Sequence, residues 1–265
     1  MRPLDAFPMQ ARRLVKGVLT DIDDTLTTGG RLTAEAYAAM ERLHGAGLVV
    51  VPVTGRPAGW CDHIARMWPV DAVVGENGAF YFRYDRDRRK MTRRFLLTDE
   101  ERAANRRRLE ALRNEILKEV PGAAVASDQP YREADLAIDF CEDVPPLARP
   151  DIDRIVDLMT AAGATAKISS IHVNGWFGAY DKLTMTRIML AECFAVDLDA
   201  EKDSFVFIGD SPNDAPMFAF FPHAVGTANV RDVEDRMPAT PAYVTEAPSG
   251  AGFAELAAAL LEARG

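Results

Sequence analysis

Two aspartates on alternate residues, Asp21 and Asp23 in LTDIDDT, follow directly on the short apolar run 15–20. Carboxylates so spaced, with the Thr25 hydroxyl beside them, suit a divalent-metal site or a nucleophile and acid pair. An acidic loop after a strand also serves simply to cap the next helix, so the pair alone decides nothing. Three further features lie down the chain. The apolar run 48–53 ends in Thr54-Gly55-Arg56, whose hydroxyl and backbone amides suit a phosphate oxygen. Lys182 heads a helical pattern, and Asp210 and Asp214 lie in GDSPND, directly after the run 204–208. Taken singly, these are a helix cap, a surface lysine and a turn. Taken together, they fall at strand ends or helix starts on one edge of one sheet, which in open α/β sheets is where ligands bind.

The elements that must position these residues follow from hydrophobic periodicity. Runs rich in β-branched residues at 15–20, 48–53, 72–74 and 204–208 are short and apolar on both faces, as in a parallel sheet buried between helix layers. Between the first two, TAEAYAAMERLHGAG predicts a helix capped by Thr33 and ended at Gly45. The alternation resumes after Lys182 with helices over 183–196 and 212–221, a strand near 224–226 and a C-terminal helix over 252–264. Between about 78 and 178 the pattern changes to short alternating segments typical of antiparallel pairing. Two helices interrupt them, one from a capping box at Thr98 and Glu101 to about 118 and one over about 151–162. The expected fold is α/β, with a Rossmann-like doubly wound parallel core over 1–80 and 179–265 and an inserted α+β domain over 81–178. There is no internal repeat, low-complexity tract or GxGxxG loop.

Composition bounds the function. At 265 residues, 48% hydrophobic and 27% charged, the chain is ordinary globular protein. No apolar run approaches the ~18 residues that span a bilayer, and no leader with a small-residue cleavage site is expected at the N-terminus. Cys61, Cys141 and Cys193 are odd in number and far apart, so no disulfide framework or CxxC pair is expected, which fits a reducing cytoplasm. A net charge of −9 disfavours a general nucleic-acid binder. Residues 83–113 nevertheless hold twelve basic and six acidic residues. That stretch is either a solvated face with local acidic partners or a field that draws in an anionic substrate. The four histidines have no zinc-ligand spacing.

DIDDT, VTGR, Lys182 and GDSPND resemble the four motifs of the haloacid dehalogenase superfamily of phosphatases. Only 33 residues separate Asp21 from Thr54, whereas 128 separate Thr54 from Lys182, so the insertion would be a cap between the second and third motifs. With GENGAFYF opening that insertion, the chain resembles the Cof-like branch, subfamily IIB, which includes sucrose-phosphate and trehalose-phosphate phosphatases and the phosphomannomutases. It departs from the branch in having Asp24 and Leu183 where Gly is common.

The resemblance implies a Mg2+-dependent phosphomonoesterase acting on a small soluble phosphate, a sugar phosphate, through an aspartyl-phosphate on Asp21. Asp21 and Asp210 would be side-chain ligands to the metal, Asp23 a ligand through its carbonyl, and Asp214 an orienting group. Asp23 would also be the general acid and base, while Thr54, Gly55, Lys182 and Asn213 would hold phosphoryl oxygens. Arg56, Asn77, Asp128, His172 and Asn174, with Ser127 and Gln129, are the candidates for reading the leaving group. A phosphomutase shares these motifs, and a regulatory protein that binds phosphate without turnover keeps the same pocket. The expected partner is a small phosphorylated molecule, with neither nucleic acid nor membrane.

Overall fold

The structure is a computed structural model that describes residues 1–169 and 171–265. Six parallel strands form the central sheet, in the order Arg2–Pro3, Tyr243–Val244, Val225–Gly226, Phe205–Gly209, Gly17–Thr20 and Val49–Pro52. Alternate residues of its inner strands face opposite layers, as the pleat requires. Val18, Val50 and Val206 pack with helices Ala34–Gly45, Ala58–Met67 and Ser249–Glu262, whereas Leu19, Val51 and Phe207 pack with Lys182–Phe194 and Ala215–Phe220. Both faces are therefore dry, which is why these strands are continuous apolar runs rather than alternating ones.

The run 72–74 was expected in the parallel sheet, and the structure corrects this. Val73–Gly75 pairs antiparallel with Phe80–Asp85, which pairs antiparallel with Lys90–Phe95. A single parallel bridge, Val53 to Val74, links the three-stranded unit to the main sheet. Phe80 and Phe82 pack into one core layer and Tyr81 into the other, so this hairpin rides on the core. We propose on that ground that the inserted domain proper runs from about 96 to 178 rather than from 81.

The insertion has its own antiparallel sheet, in the order Thr165–Ile168, His172–Trp176, Asp135–Asp139 and Ala124–Val125. Helices Asp99–Glu119 and Arg149–Ala161 pack Leu112, Ile116, Ile155 and Met159 onto it as a separate apolar cluster. The first of these helices opens with the expected capping box: Thr98 Oγ1 accepts from the Glu101 amide, and the Glu101 carboxylate accepts from the Thr98 amide. Among the described residues, no helix is long and apolar enough to cross a membrane.

The turn at residues 76–78 joins the layers. Gly78 has φ +104°, and a Cβ there would collide with the Asp181 carbonyl, one residue before the helix that Lys182 begins. Only glycine allows this approach. Gly78→Ala is therefore expected to lower stability by at least about 2 kcal/mol, or else to displace the Lys182 helix. Urea unfolding measures this, and an unchanged midpoint would contradict the packing described.

Candidate active site

Three loops leave the carboxyl ends of adjacent parallel strands. Asp21 follows Gly17–Thr20, Thr54 follows Val49–Pro52, and Asp210 follows Phe205–Gly209. Lys182 arrives from the opposite direction, as the first residue of its helix, with Asp181 as N-cap accepting from the Thr184 amide at 2.7 Å. Its ammonium, 4% exposed as a residue, donates to Asp21 Oδ1 at 2.8 Å and Asp214 Oδ1 at 2.7 Å. Asp214 is fully buried, and its second oxygen accepts from the amides of Asp210 at 3.2 Å and Ser211 at 3.4 Å. Asp210 accepts from Thr25 Oγ1 at 3.0 Å and Asn229 Nδ2 at 3.3 Å.

Oxygens of Asp21, Asp210 and Asp214 lie within 4.8 Å of one another. Three carboxylates thus face one ammonium in a buried place. Burial pushes the Asp21 pKa up to about 7, with Asp214 and Asp23 adding to it and Lys182 opposing, and burial also pushes Asp210 well above the usual carboxylate range. For Lys182, burial works against the charge, but Asp21 and Asp214 outweigh it and raise the pKa. A cluster short of positive charge, with only hard oxygen donors, fits a divalent cation such as magnesium.

Asp23 points elsewhere. Its carboxylate takes Arg56 Nε at 3.0 Å and Nη2 at 2.8 Å, so its side chain is apart from the three-aspartate cluster. Arg56 also lies over the Trp60 ring at 4.4 Å and has Nη1 3.6 Å from both Asp128 and Glu142. Thr54 is fully buried, and its hydroxyl accepts from the Arg56 amide at 3.0 Å while keeping its own proton to give. Asn77, at φ +55°, approaches Gly55 so closely that a Cβ on that glycine would stand 3.2 Å from Asn77 Nδ2. That buried amide nitrogen has no hydrogen-bond partner among the described residues.

A narrow cleft, with a cavity volume of only about 30 Å³, lies over these groups. The core supplies Asp21, Asp23, Gly55, Arg56, Asn77, Asp210, Ser211 and Asn213, and the insertion supplies Arg132, Ser169, Ile171, His172 and Asn174. Asn213 accepts from Ser211 Oγ at 2.6 Å. Burial lowers the His172 pKa, helped by Arg132, and its Nε2 lies 2.8 Å from Glu142 Oε2 but out of line for a hydrogen bond.

Of the sequence candidates in the insertion, His172 and Asn174 line the cleft, and three others do not. Both oxygens of Asp128 accept from Arg132, at 2.9 and 3.1 Å. Gln129 ties the Asp135 carbonyl to the Ala137 amide, and Ser127 donates to Asp143. The residues that sequence reasoning missed are Arg132 and Glu76. Both carried a signal: Arg132 stands four residues after one aspartate and three before another, and Glu76 is an acid inside the apolar run VVGENGAF. An acid there must be buried, and a buried charge needs partners. In the basic stretch, Arg93, Arg94, Arg102, Arg106 and Arg113 pair with Asp62, Glu192, Glu133, Glu133 and Glu110.

Fold and site together define a Rossmann-like α/β protein with an inserted domain closed over a buried aspartate and lysine centre. Residues 18–101 match the family model of haloacid dehalogenase-like hydrolases. Comparison with curated proteins finds no match. Among solved structures, a Thermoplasma acidophilum protein is similar with a TM-score of 0.70 and 18% identity, over 93% of this chain and 98% of that one. The sucrose-phosphatase of Synechocystis, solved with sucrose and phosphate, gives 0.64 and 14%, over 93% and 98%. A sugar phosphatase of haloacid dehalogenase subclass IIB gives 0.61 and 14%, over 91% and 97%. The N-terminal third of the chain is thus similar to haloacid dehalogenase-like hydrolases, and the whole chain shares its fold with these solved structures.

Cation binding at the aspartate cluster is expected to weaken with falling pH. Below about 7 Asp21 holds a proton that a metal must displace, and above it the carboxylate is free. Calorimetric titration with magnesium should show affinity dropping by up to about tenfold per pH unit below 7, with proton release on binding. Affinity independent of pH between about 5.5 and 8 would contradict this assignment.

Proposed function

We propose that this protein is a magnesium-dependent phosphomonoesterase that hydrolyses a small phosphate ester, a sugar phosphate by class, through an aspartyl-phosphate on Asp21. The observation that carries this reading is the buried Lys182 ammonium seated between Asp21 and Asp214, with Asp210 alongside, at the foot of a polar cleft. Similarity to the Synechocystis sucrose-phosphatase and to the subclass IIB sugar phosphatase supports the substrate class.

Magnesium, when bound, would supply the positive charge that lets a carboxylate approach a phosphate dianion. Asp21 and Asp210 would hold it by their side chains and Asp23 by its backbone carbonyl. Asp214, with both oxygens engaged by Lys182 and backbone amides, orients rather than ligates. Lys182 fixes Asp21 Oδ1, so Oδ2 attacks phosphorus, and the ester P–O bond breaks as the new bond forms. Asp23 gives a proton to the leaving alcohol and then takes one from the water that hydrolyses the acyl phosphate. Arg56 holds Asp23 against the cleft between these steps. The Thr54 hydroxyl, the Gly55 amide, Lys182, Asn213 and the unpartnered Asn77 amide bind phosphoryl oxygens. On the facing wall, neutral His172, Asn174 and Ser169 offer the uncharged donors and acceptors that a hydroxyl-rich leaving group needs.

With p-nitrophenyl phosphate and magnesium the protein is expected to release orthophosphate, and chelation is expected to stop it. Asp21→Asn should fall below about one thousandth of wild-type kcat, and Asp23→Asn should lose roughly 10²–10⁴-fold. Substantial activity in Asp21→Asn would sink the covalent route. A screen of sugar phosphates ranked by kcat/KM tests the substrate class, with free sugar and orthophosphate as the expected products. An isomeric sugar phosphate as product would instead identify a mutase.

A further inference from the structure

We propose that Glu76 is a positioning residue that clasps the inserted domain to the Thr54-Gly55-Arg56 loop, so that phosphate loop and cleft wall are set together. Its consequence for turnover rests on the phosphatase reading above. Glu76 is wholly buried in the turn after Val73–Gly75 and sits at φ +43°, a conformation that a glutamate holds only when its surroundings impose it. Its Oε1 accepts from the Ala58 amide at 2.9 Å, in the first turn of a core helix, and from the Glu133 amide at 2.9 Å. Its Oε2 accepts from the amides of Ala134 at 2.6 Å and Asp135 at 3.2 Å. One core carboxylate thus collects three consecutive amides of the insertion. Successive amides arranged in this way make a concavity that takes acceptor oxygens, and here a carboxyl of the chain itself fills it.

A second charge makes the reverse contact. Arg132, the residue before those amides, sends Nη1 to the Gly55 carbonyl at 3.0 Å, while Asp128 and Asp135 grip the rest of its guanidinium. The neighbouring carbonyls of the loop are held from the turn: the Glu76 amide donates to the Arg56 carbonyl at 3.2 Å and the Asn77 amide to the Thr54 carbonyl at 3.0 Å. All three carbonyls of Thr54-Gly55-Arg56 are therefore fixed by Asn77, Arg132 and Glu76. Withdrawing residues 132–135 would break the bonds at Glu76 and at Gly55 in one motion. It would also leave a buried carboxylate without three of its donors, which disfavours partial opening. Asp135 in turn accepts from Asn174 Nδ2 at 3.0 Å, so the clasp places a cleft residue as well.

The test is amide hydrogen exchange on the intact protein. Glu76→Gln keeps the shape but turns an NH2 group towards amides that need an acceptor. The amides of Glu133, Ala134 and Asp135 are expected to exchange at least tenfold faster than in wild type, with Leu136 and Ile138 unchanged. Arg132→Lys keeps the charge and loses the fork, and should release the same three amides. With magnesium and orthovanadate added as a phosphoryl mimic, those amides should slow further in wild type and not in Glu76→Gln. Retained protection of 133–135 in Glu76→Gln would overturn the clasp. If that variant loses protection throughout Phe205–Gly209 as well, it has unfolded, and Arg132→Lys decides by the same criterion. Absence of vanadate binding and of phosphate release would overturn the phosphatase reading, while the exchange comparison without ligand would still decide the clasp.

Discussion

Everything at the working end of this protein depends on one electrostatic constraint: three buried carboxylates share a single ammonium. Lys182 answers Asp21 and Asp214 directly, but two formal negative charges are left at the end of the central strands. Breaking a buried pair by removing one partner typically costs about 3–5 kcal/mol, so Lys182 cannot be a passive bystander. The surplus is also what suits the cluster to a dication. Backbone geometry supports the cluster at each point, from adjacent parallel strands that deliver Asp21 and Asp210 to a glycine that lets the 76–78 turn touch the start of the Lys182 helix.

A second buried polar system lies where the inserted domain meets the core. There, Glu76 binds main chain of the insertion and Arg132 binds main chain of the core, each charge neutralised by donors or acceptors from both sides. Such a junction is geometrically demanding in a way that an apolar contact is not, because each unmade bond strands a charge. The cleft wall and the phosphate loop are consequently positioned by the same bonds. On the proposed function, the groups that would read the leaving group and those that would transfer phosphate are thereby tied to one closed arrangement.

The chain itself disclosed much of this, and the pattern of what it concealed is physical. Buried parallel strands are apolar runs, so the strands behind Asp21, Thr54 and Asp210 were legible, as were the Thr33 cap and the capping box at Thr98. Two-residue strands such as Arg2–Pro3 at the sheet edge and Tyr243–Val244 beside it are too short to show any period. The antiparallel pairing of Val73–Gly75 was hidden because burial on both faces looks the same in either orientation. In the insertion, a polar residue in a turn says little about which way it faces: Asp128 turns to Arg132, whereas His172 and Asn174, on a strand, face the cleft. Glu76 and Arg132 were the more informative residues, because a charge within an apolar or doubly acidic context has to find its partners inside the protein.

The central claim is that Asp21 carries the phosphoryl group between two displacements. It is tested most directly by the stereochemical course of hydrolysis of a phosphate monoester made chiral with oxygen isotopes. Two in-line displacements, first by Asp21 and then by water, predict retention of configuration at phosphorus. Inversion would mean that water attacks the ester directly, and would contradict the account of Asp21 and of the cluster built around it.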